Sequence, residues 1–277
     1  MVRLDVDGVR FSHGSKEVLK GVDLDVSNGE IVGILGENGS GKTTLLNCIN
    51  SEYRPSSGTV VVSGFDLPPE ERGRNIKEVM DIQDFTESQR SKIIATVEQN
   101  SQQSFPFTVM ETVRMGRYSR TGMFDDDDDS ENEFLCSVME DVGILEFSDC
   151  SISELSGGEW RRVMIAQALA QEPEVLLLDE PTLHLDISHQ FGLMDLCKRI
   201  VRQRGVLIVI VTHDLQIAAR YCDRVVVMKS GEIVSKGLTR DVITERMVRD
   251  VFHMNSRVEY DEDLEGLAVT LISRYEC

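Results

Sequence analysis

Gly36-Glu37-Asn38-Gly39-Ser40-Gly41-Lys42-Thr43 matches the pattern GxxxxGK[ST], and it lies between an apolar run at 31–35 and a helical pattern over Lys42–Ile49. That is where the chemistry needs it. The glycines let several backbone N–H groups converge at a helix N-terminus, where the helix dipole adds positive potential. The string therefore reads as a cradle for phosphate. Its candidate contacts are Gly36, Asn38, Gly39, Ser40, Gly41, Lys42, Thr43 and the adjoining Thr44. Lys42 is suited to neutralise β- and γ-phosphates, and the Thr43 hydroxyl to ligate Mg²⁺.

The rest of the chain reads as a fold that can hold such a loop. Residues 2–11 and 18–26 read as strands of a hairpin-rich start, with Gly14 and Asn28-Gly29 as turns. Residues 59–63 and 93–97 are further strands, separated by a polar stretch, 66–92, that holds Pro68-Pro69 and a helix-like charged segment. From 108 to about 150 the pattern is helical, interrupted by aspartates at 125–129 that read as a solvated loop. Helix and strand then alternate: helix 159–171, strand 175–178, helix Ile187–Arg204, strand 206–211, helix Leu215–Tyr221, strand Arg224–Lys229 and, after a Ser230-Gly231 turn, strand 232–235. Near-continuous apolar strands alternating with helices predict an α/β fold, a parallel sheet covered on both faces. The helical middle, about 101–173, reads as a subdomain inserted into that core. Beyond 241 the chain is helical, then acidic at 259–265, then strand-like at 267–272.

Two more elements carry chemistry. Val175-Leu176-Leu177-Leu178-Asp179-Glu180 is a buried strand ending in two carboxylates; Asp179 can hold Mg²⁺ through water, and Glu180 can polarise an attacking water. Leu155-Ser156-Gly157-Gly158-Glu159 runs into a helix and makes a second anion-binding N-terminus.

In this order the motifs resemble those of the ABC (ATP-binding cassette) ATPase family, over about residues 1–240, with 241–277 as a tail that packs on the core or regulates it. The resemblance implies a P-loop NTPase (RecA-like) core with an antiparallel β subdomain and an inserted helical subdomain. It implies an ATPase that works as a head-to-tail homodimer with ATP sandwiched between copies. By that resemblance Ser156, Gly157 and Gly158 touch the γ-phosphate held by the partner's loop, and Asp186, in Leu183-His184-Leu185-Asp186, organises contacts across the dimer. Gln99, with Gln102 and Gln103 as competitors, matches the glutamine that senses Mg²⁺ and the γ-phosphate. His213, at the end of 206–211, matches the switch histidine. Lys42, Gln99, Glu180 and His213 thus form the implied catalytic set, and Thr43, Gln99 and Asp179 the implied metal set. Three departures stand out. His13 occupies the position of the aromatic that stacks on adenine, with Phe11 nearby as a core residue. Glu159-Trp160 replaces the common Gln of the signature. The segment from Lys42 to Gln99 is longer than the family pattern, within 65–92.

Four strings resemble importers of iron chelates, haem and cobalamin: 108–113 followed by Gly116-Arg117-Tyr118, Leu45-Leu46-Asn47-Cys48, Leu185-Asp186-Ile187-Ser188-His189-Gln190, and 218–223. They imply a separate ATPase chain docked on a dimeric membrane permease at the cytoplasmic face of the membrane, with a periplasmic or extracellular substrate-binding protein delivering cargo. The permease's coupling helix would sit near 99–117, against Phe105, Phe107 and Tyr118. A soluble, non-transport ATPase of the Fe–S assembly type, or an importer of another cargo such as molybdate, is the alternative. Composition bears on partners. A net charge of −19 argues against nucleic acid as a partner and fits a highly solvated surface. The longest apolar runs, 175–178 and 206–211, fall far short of a membrane span, and the N-terminus lacks a signal pattern. Six scattered cysteines, with no CxxC pair, read as buried reduced thiols.

Overall fold

The computed structural model describes residues 2–65, 79–99, 106–121, 129–264 and 266–275. Pro68-Pro69, Gln102, Gln103, Phe105, the aspartates at 125–128, Glu265 and Cys277 lie outside the described residues.

Strands β1 (Arg3–His13) and β2 (Lys16–Ser27) pair antiparallel around Gly14, with His13 opposite Lys16. β3 (Ile31–Gly36) is buried at every position and leads through the glycine loop into α1 (Lys42–Ile49). β4 (Ser57–Ser63) and the short β5 (Val79–Asp81) complete an antiparallel sheet in the order β2-β1-β4-β5. A capping box between Thr86 and Gln89 starts α2 (Glu87–Ser91), and β6 (Ile94–Val97) follows. Next come α3 (Val109–Arg114), α4 (Tyr118–Thr121) and α5 (Asp129–Val142), then α6 (Gly157–Ala170). The chain then alternates β7 (Val175–Asp179), α7 (Ile187–Arg204), β8 (Leu207–Val211), α8 (Leu215–Tyr221), β9 (Arg224–Lys229) and β10 (Glu232–Leu238). Helices α9 (Thr239–Val242) and α10 (Glu245–Phe252) precede a hairpin of β11 (Met254–Asp261) and β12 (Gly266–Arg274).

The central sheet has the order β10-β9-β3-β8-β7-β6 and is parallel except for β10, which runs antiparallel to β9. The loops after β3, β6, β7 and β8 therefore open on one edge, the carboxyl ends of the strands, where such sheets bind ligands. Because β8 lies between β3 and β7, its end delivers His213 to the same edge as the phosphate loop and the two carboxylates. Successive side chains face opposite ways, which explains strands that are apolar throughout. Ile31, Leu35, Leu176, Leu178 and Ile208 join the apolar faces of α3, α5, α6, α7 and α8. Val32, Ile34, Leu177, Val209 and Val211 join α1 and the antiparallel sheet. Each such Leu, Ile or Val contributes about 1.5–3 kcal/mol by its burial.

Helix α6 packs closely on the turn that follows α3. A Cβ on Gly116 would lie 2.1 Å from the Gln167 carbonyl oxygen, so only glycine fits. We predict that Gly116→Ala destabilises the fold by about 1–3 kcal/mol, read as a lowered thermal midpoint. An unchanged midpoint would mean that this contact is not close in solution.

The tail departs from its reading as merely acidic around 259–265. β11 runs through Glu259, Tyr260 and Asp261, with Met254 and Val258 turned to the core and Arg257, Glu259 and Tyr260 exposed. β12 places Val269 in the core against α8, where Gln216 Nε2 donates to the Val269 carbonyl at 3.4 Å. Phe11 is half-buried and packed against the core, its ring stacked on Tyr53 at 4.9 Å. One other expectation shifts. Cys136 and Cys150 are half-buried, whereas Cys48, Cys197 and Cys222 are buried, and burial pushes the Cys48 and Cys197 thiols up to about 12.

Candidate active site

Gly41 caps α1 with φ 105°, a backbone conformation that glycine adopts without strain. This hands the chain from the loop to the helix and leaves the first amides of α1 facing outward. Lys42 is 6% exposed, and its Nζ donates to the carbonyls of Gly36 (2.9 Å) and Glu37 (3.0 Å). Burial pulls its ammonium below the ordinary lysine range, while the carboxylates of Glu180 and Asp179 pull it back up. Ser40 is 4% exposed, and its buried Oγ has no hydrogen-bond partner. A buried hydroxyl without a partner costs roughly 1–3 kcal/mol.

Across the loop stands the end of β7. Asp179 Oδ1 accepts from Thr43 Oγ1 at 3.4 Å; burial raises the Asp179 carboxyl above its usual range, and the Thr43 bond draws it down. Glu180 is 8% exposed and has φ 47°, a conformation that non-glycine residues rarely adopt. Its N–H donates to the Val211 carbonyl of β8 at 2.9 Å, which anchors the strained residue. Its Oε2 lies 2.8 Å from His213 Nδ1, so the carboxylate orients the imidazole, whose side chain is otherwise half-exposed.

Lys42, Thr43, Glu180 and His213 line one cleft of about 650 Å³ together with Asn38, Gly39, Gly41, Thr44 and Gln99, whereas Gly36, Ser40 and Asp179 do not line it, Asp179 reaching it through Thr43. Gln99 is exposed, and its carbonyl accepts from Arg161 of α6 at 3.2 Å, which ties the loop after β6 to the helical layer. Lys16, Val18 and Leu183 also line the cleft, and the sequence reading missed all three. For Lys16 and Val18 the signal was the hairpin itself: β2 begins opposite His13, so its first residues lie beside the loop. His13 is exposed and does not line the cleft; its ring stands edge-on to Phe11 (4.9 Å) and Tyr53 (5.3 Å). Tyr53 was a second miss, brought in by the turn after α1.

The remaining candidates lie elsewhere. Ser156, Gly157, Gly158 and Asp186 do not line the cleft. Ser156 caps α6 and is closed on Glu159: its N–H and Oγ both donate to Glu159 Oε2 at 2.7 Å. Those bonds hold the Glu159 carboxyl below its usual range and give the Glu of the variant signature a capping role. Asp186 caps α7 and is exposed.

The donor set suits a nucleotide with a hard cation. The loop before α1 and its buried lysine suit phosphate, and the Thr43 hydroxyl beside Asp179 offers oxygen ligands that Mg²⁺ shares with phosphate. No group of three or more His, Cys, Asp or Glu that could cage a metal by itself occurs among the described residues. Nor is any described helix long and apolar enough to cross a membrane.

Comparison with known proteins agrees with this geometry. A family model described as ABC transporter matches residues 19–183. The chain is 38% identical over 265 residues to an uncharacterized ABC transporter ATP-binding protein, YvrA, of Bacillus subtilis, covering 95% of this chain and 55% of that protein. It is 35% identical over 267 residues to the cobalamin import ATP-binding protein BtuD of Halobacterium salinarum, covering 96% of this chain and 63% of the relative. The chain thus spans less than two thirds of the length of these relatives. Among solved structures, cbiO1 of Clostridium perfringens, part of the ABC transporter complex cbiONQ, superposes with a TM-score of 0.72 at 32% identity, over 89% of this chain and 92% of that one. The expected α/β cassette fold is therefore the one observed.

Proposed function

The chain belongs to the ABC transporter family, and from that premise we propose that it binds and hydrolyses ATP to power import through a separate membrane permease. The observation that carries the reading is the single cleft in which Lys42, the Thr43–Asp179 pair, Gln99 and the Glu180–His213 pair meet. Residues 1–240 form the cassette in this reading, with a helical subdomain at about 101–173 and a tail at 241–277.

Each group has a role that its surroundings support. Lys42, held over the loop carbonyls, turns its charge to β- and γ-phosphates when they arrive. Thr43, Asp179 and Gln99 would hold Mg²⁺, which when bound would neutralise charge across the phosphate oxygens. Glu180, fixed by its backbone, accepts the proton of the attacking water or aligns that water in line with the γ-phosphate. His213, oriented by Glu180, keeps its other ring nitrogen for the γ-phosphate. Ser156, Gly157, Gly158 and Asp186 lie outside their own cleft, which suits them to complete the site of a second, head-to-tail copy.

The permease is a membrane dimer, reached from the cytoplasmic face, and it takes cargo from an external binding protein; nucleic acid is no partner. Phe107 and Tyr118 are 39% and 58% exposed on the α3–α4 side and suit a helix of the permease. The cargo class, iron chelate, haem or cobalamin, rests on the four sequence strings and on the cobalamin importer among the relatives. The test is purification of the tagged chain from gently solubilised membranes. A polytopic permease that copurifies is the expected result; soluble partners only, with the chain absent from membranes, would overturn the transport reading.

A smaller prediction concerns the base. His13 presents an imidazole edge-on to Phe11 and Tyr53 at the rim of the hairpin. His13→Tyr enlarges the ring available to adenine and should tighten ATP binding about two- to fivefold, a fraction of the ~1–3 kcal/mol that a full base–aromatic stack contributes. Titration with ATP and with a base-free triphosphate checks it, and equal gains for both would exclude stacking.

A further inference from the structure

His189 stands in the first turn of α7 and touches two of the site's outlying groups at once. Its backbone N–H donates to Asp186 Oδ1 at 2.9 Å, and its ring Nδ1 lies 2.7 Å from Asp186 Oδ2, so both carboxylate oxygens are engaged by one residue. The ring also lies against the start of α6. A Cβ on Gly158 would sit 2.4 Å from His189 Cδ2 and 3.0 Å from Cγ, closer than any side chain tolerates, so Gly158 leaves its α-carbon bare against the imidazole. The neighbouring residues brace the same junction. Leu185 Cδ2 approaches the Cβ position of Gly157 at 4.0 Å, and Gln190 Nε2 donates to the Leu185 carbonyl at 2.9 Å.

One imidazole thus couples Asp186 to the Ser156–Gly158 turn, two segments separated by nearly the length of α6 and the whole of β7. The His189 side chain is 46% exposed and that of Asp186 64%, so the pair contributes little to the stability of the single chain. We infer that His189 is a positioning residue, fixing Asp186 against Ser156–Gly158 so that a second copy meets them as one preorganised surface. This rests on the paired-site reading above. Preorganisation of this kind lowers the ordering cost of association rather than adding a contact.

The test uses a Glu180→Gln parent, with ATP-driven pairing measured by sedimentation. His189→Ala should weaken pairing about tenfold, the scale of a hydrogen bond to a charged group, while ATP affinity at dilutions below pairing and the thermal midpoint stay unchanged. His189→Asn, whose amide nitrogen can replace Nδ1 toward Asp186, should recover most of the loss. Asp186→Ala should make a further His189→Ala change silent, because the histidine acts through that carboxylate. Normal pairing in His189→Ala, or losses that simply add in the double variant, would overturn the inference. If the Glu180→Gln parent itself does not pair with ATP, the paired-site reading falls first and takes this inference with it.

Discussion

Glu180→Gln should leave ATP bound and nearly unhydrolysed, with turnover lowered by about 10²–10⁴-fold, the range of a lost general base. The substitution changes little else. Glutamine keeps the length of the side chain, and its carbonyl oxygen can still accept from His213, which lies 2.8 Å from the present carboxylate. The backbone bond from residue 180 to Val211 remains and so does the φ of 47° that aims the side chain. Lys42 loses one of the two carboxylates that hold its charge, but Asp179 stays. Nucleotide affinity should therefore hold within a few-fold, while the bound ATP no longer meets a group able to take the proton of water. In the paired reading the closed dimer then persists. Phosphate release, ATP titration and particle mass in ATP test the three parts separately, and turnover at the wild-type rate would remove Glu180 from the chemistry.

What could be read from the residues alone, and what could not, divides along physical lines. Helices α1 and α7 begin and end where the sequence places them, because their ends are locally encoded: Gly41 starts the first, while Asp186 caps the second and Gly205 closes it. The strands that end at Asp179 and Val211 are apolar at every position but Asp179 itself, so their burial and parallel pairing were legible too. β11 was hidden because a hairpin on the surface needs few apolar residues, and Arg257, Glu259 and Tyr260 disguise it. The central motif residues were legible for a related reason: each is tied to the end of a strand, and strand ends converge on one edge. Side chains that meet through tertiary packing were not. Phe11 and Tyr53 lie on different elements, and no local pattern announces their stack. The contact between His189 and Gly158 is of the same kind. Glu159 is an intermediate case, since the S-x-x-E spacing from Ser156 does encode a capping box, although the family comparison draws the eye to a missing glutamine instead.

Lys42→Ala should separate binding from folding. The ammonium is fixed over the loop by two of its carbonyls, and its loss removes a charge-assisted hydrogen bond to phosphate worth about 1.5–3 kcal/mol, a roughly 10- to 150-fold drop in ATP affinity. Stability follows a different balance. Without nucleotide the lysine is a buried cation, and burial already pulls its ammonium below the ordinary range. Its two carbonyl partners and the nearby carboxylates offset that cost. Removing the whole side chain also leaves a gap behind Gly36 and Glu37, so a loss of fold stability in Lys42→Ala alone would be ambiguous. Lys42→Met resolves it, because the methionine stem fills the same space without the charge. Met and Ala variants should lose ATP affinity alike, and the Met variant should keep its thermal midpoint within a few degrees. AMP, which lacks the β- and γ-phosphates, should bind wild type and both variants equally weakly. If Lys42→Met binds ATP as tightly as wild type, the glycine loop does not hold the terminal phosphates through this lysine, and the phosphate site must be sought elsewhere along the cleft.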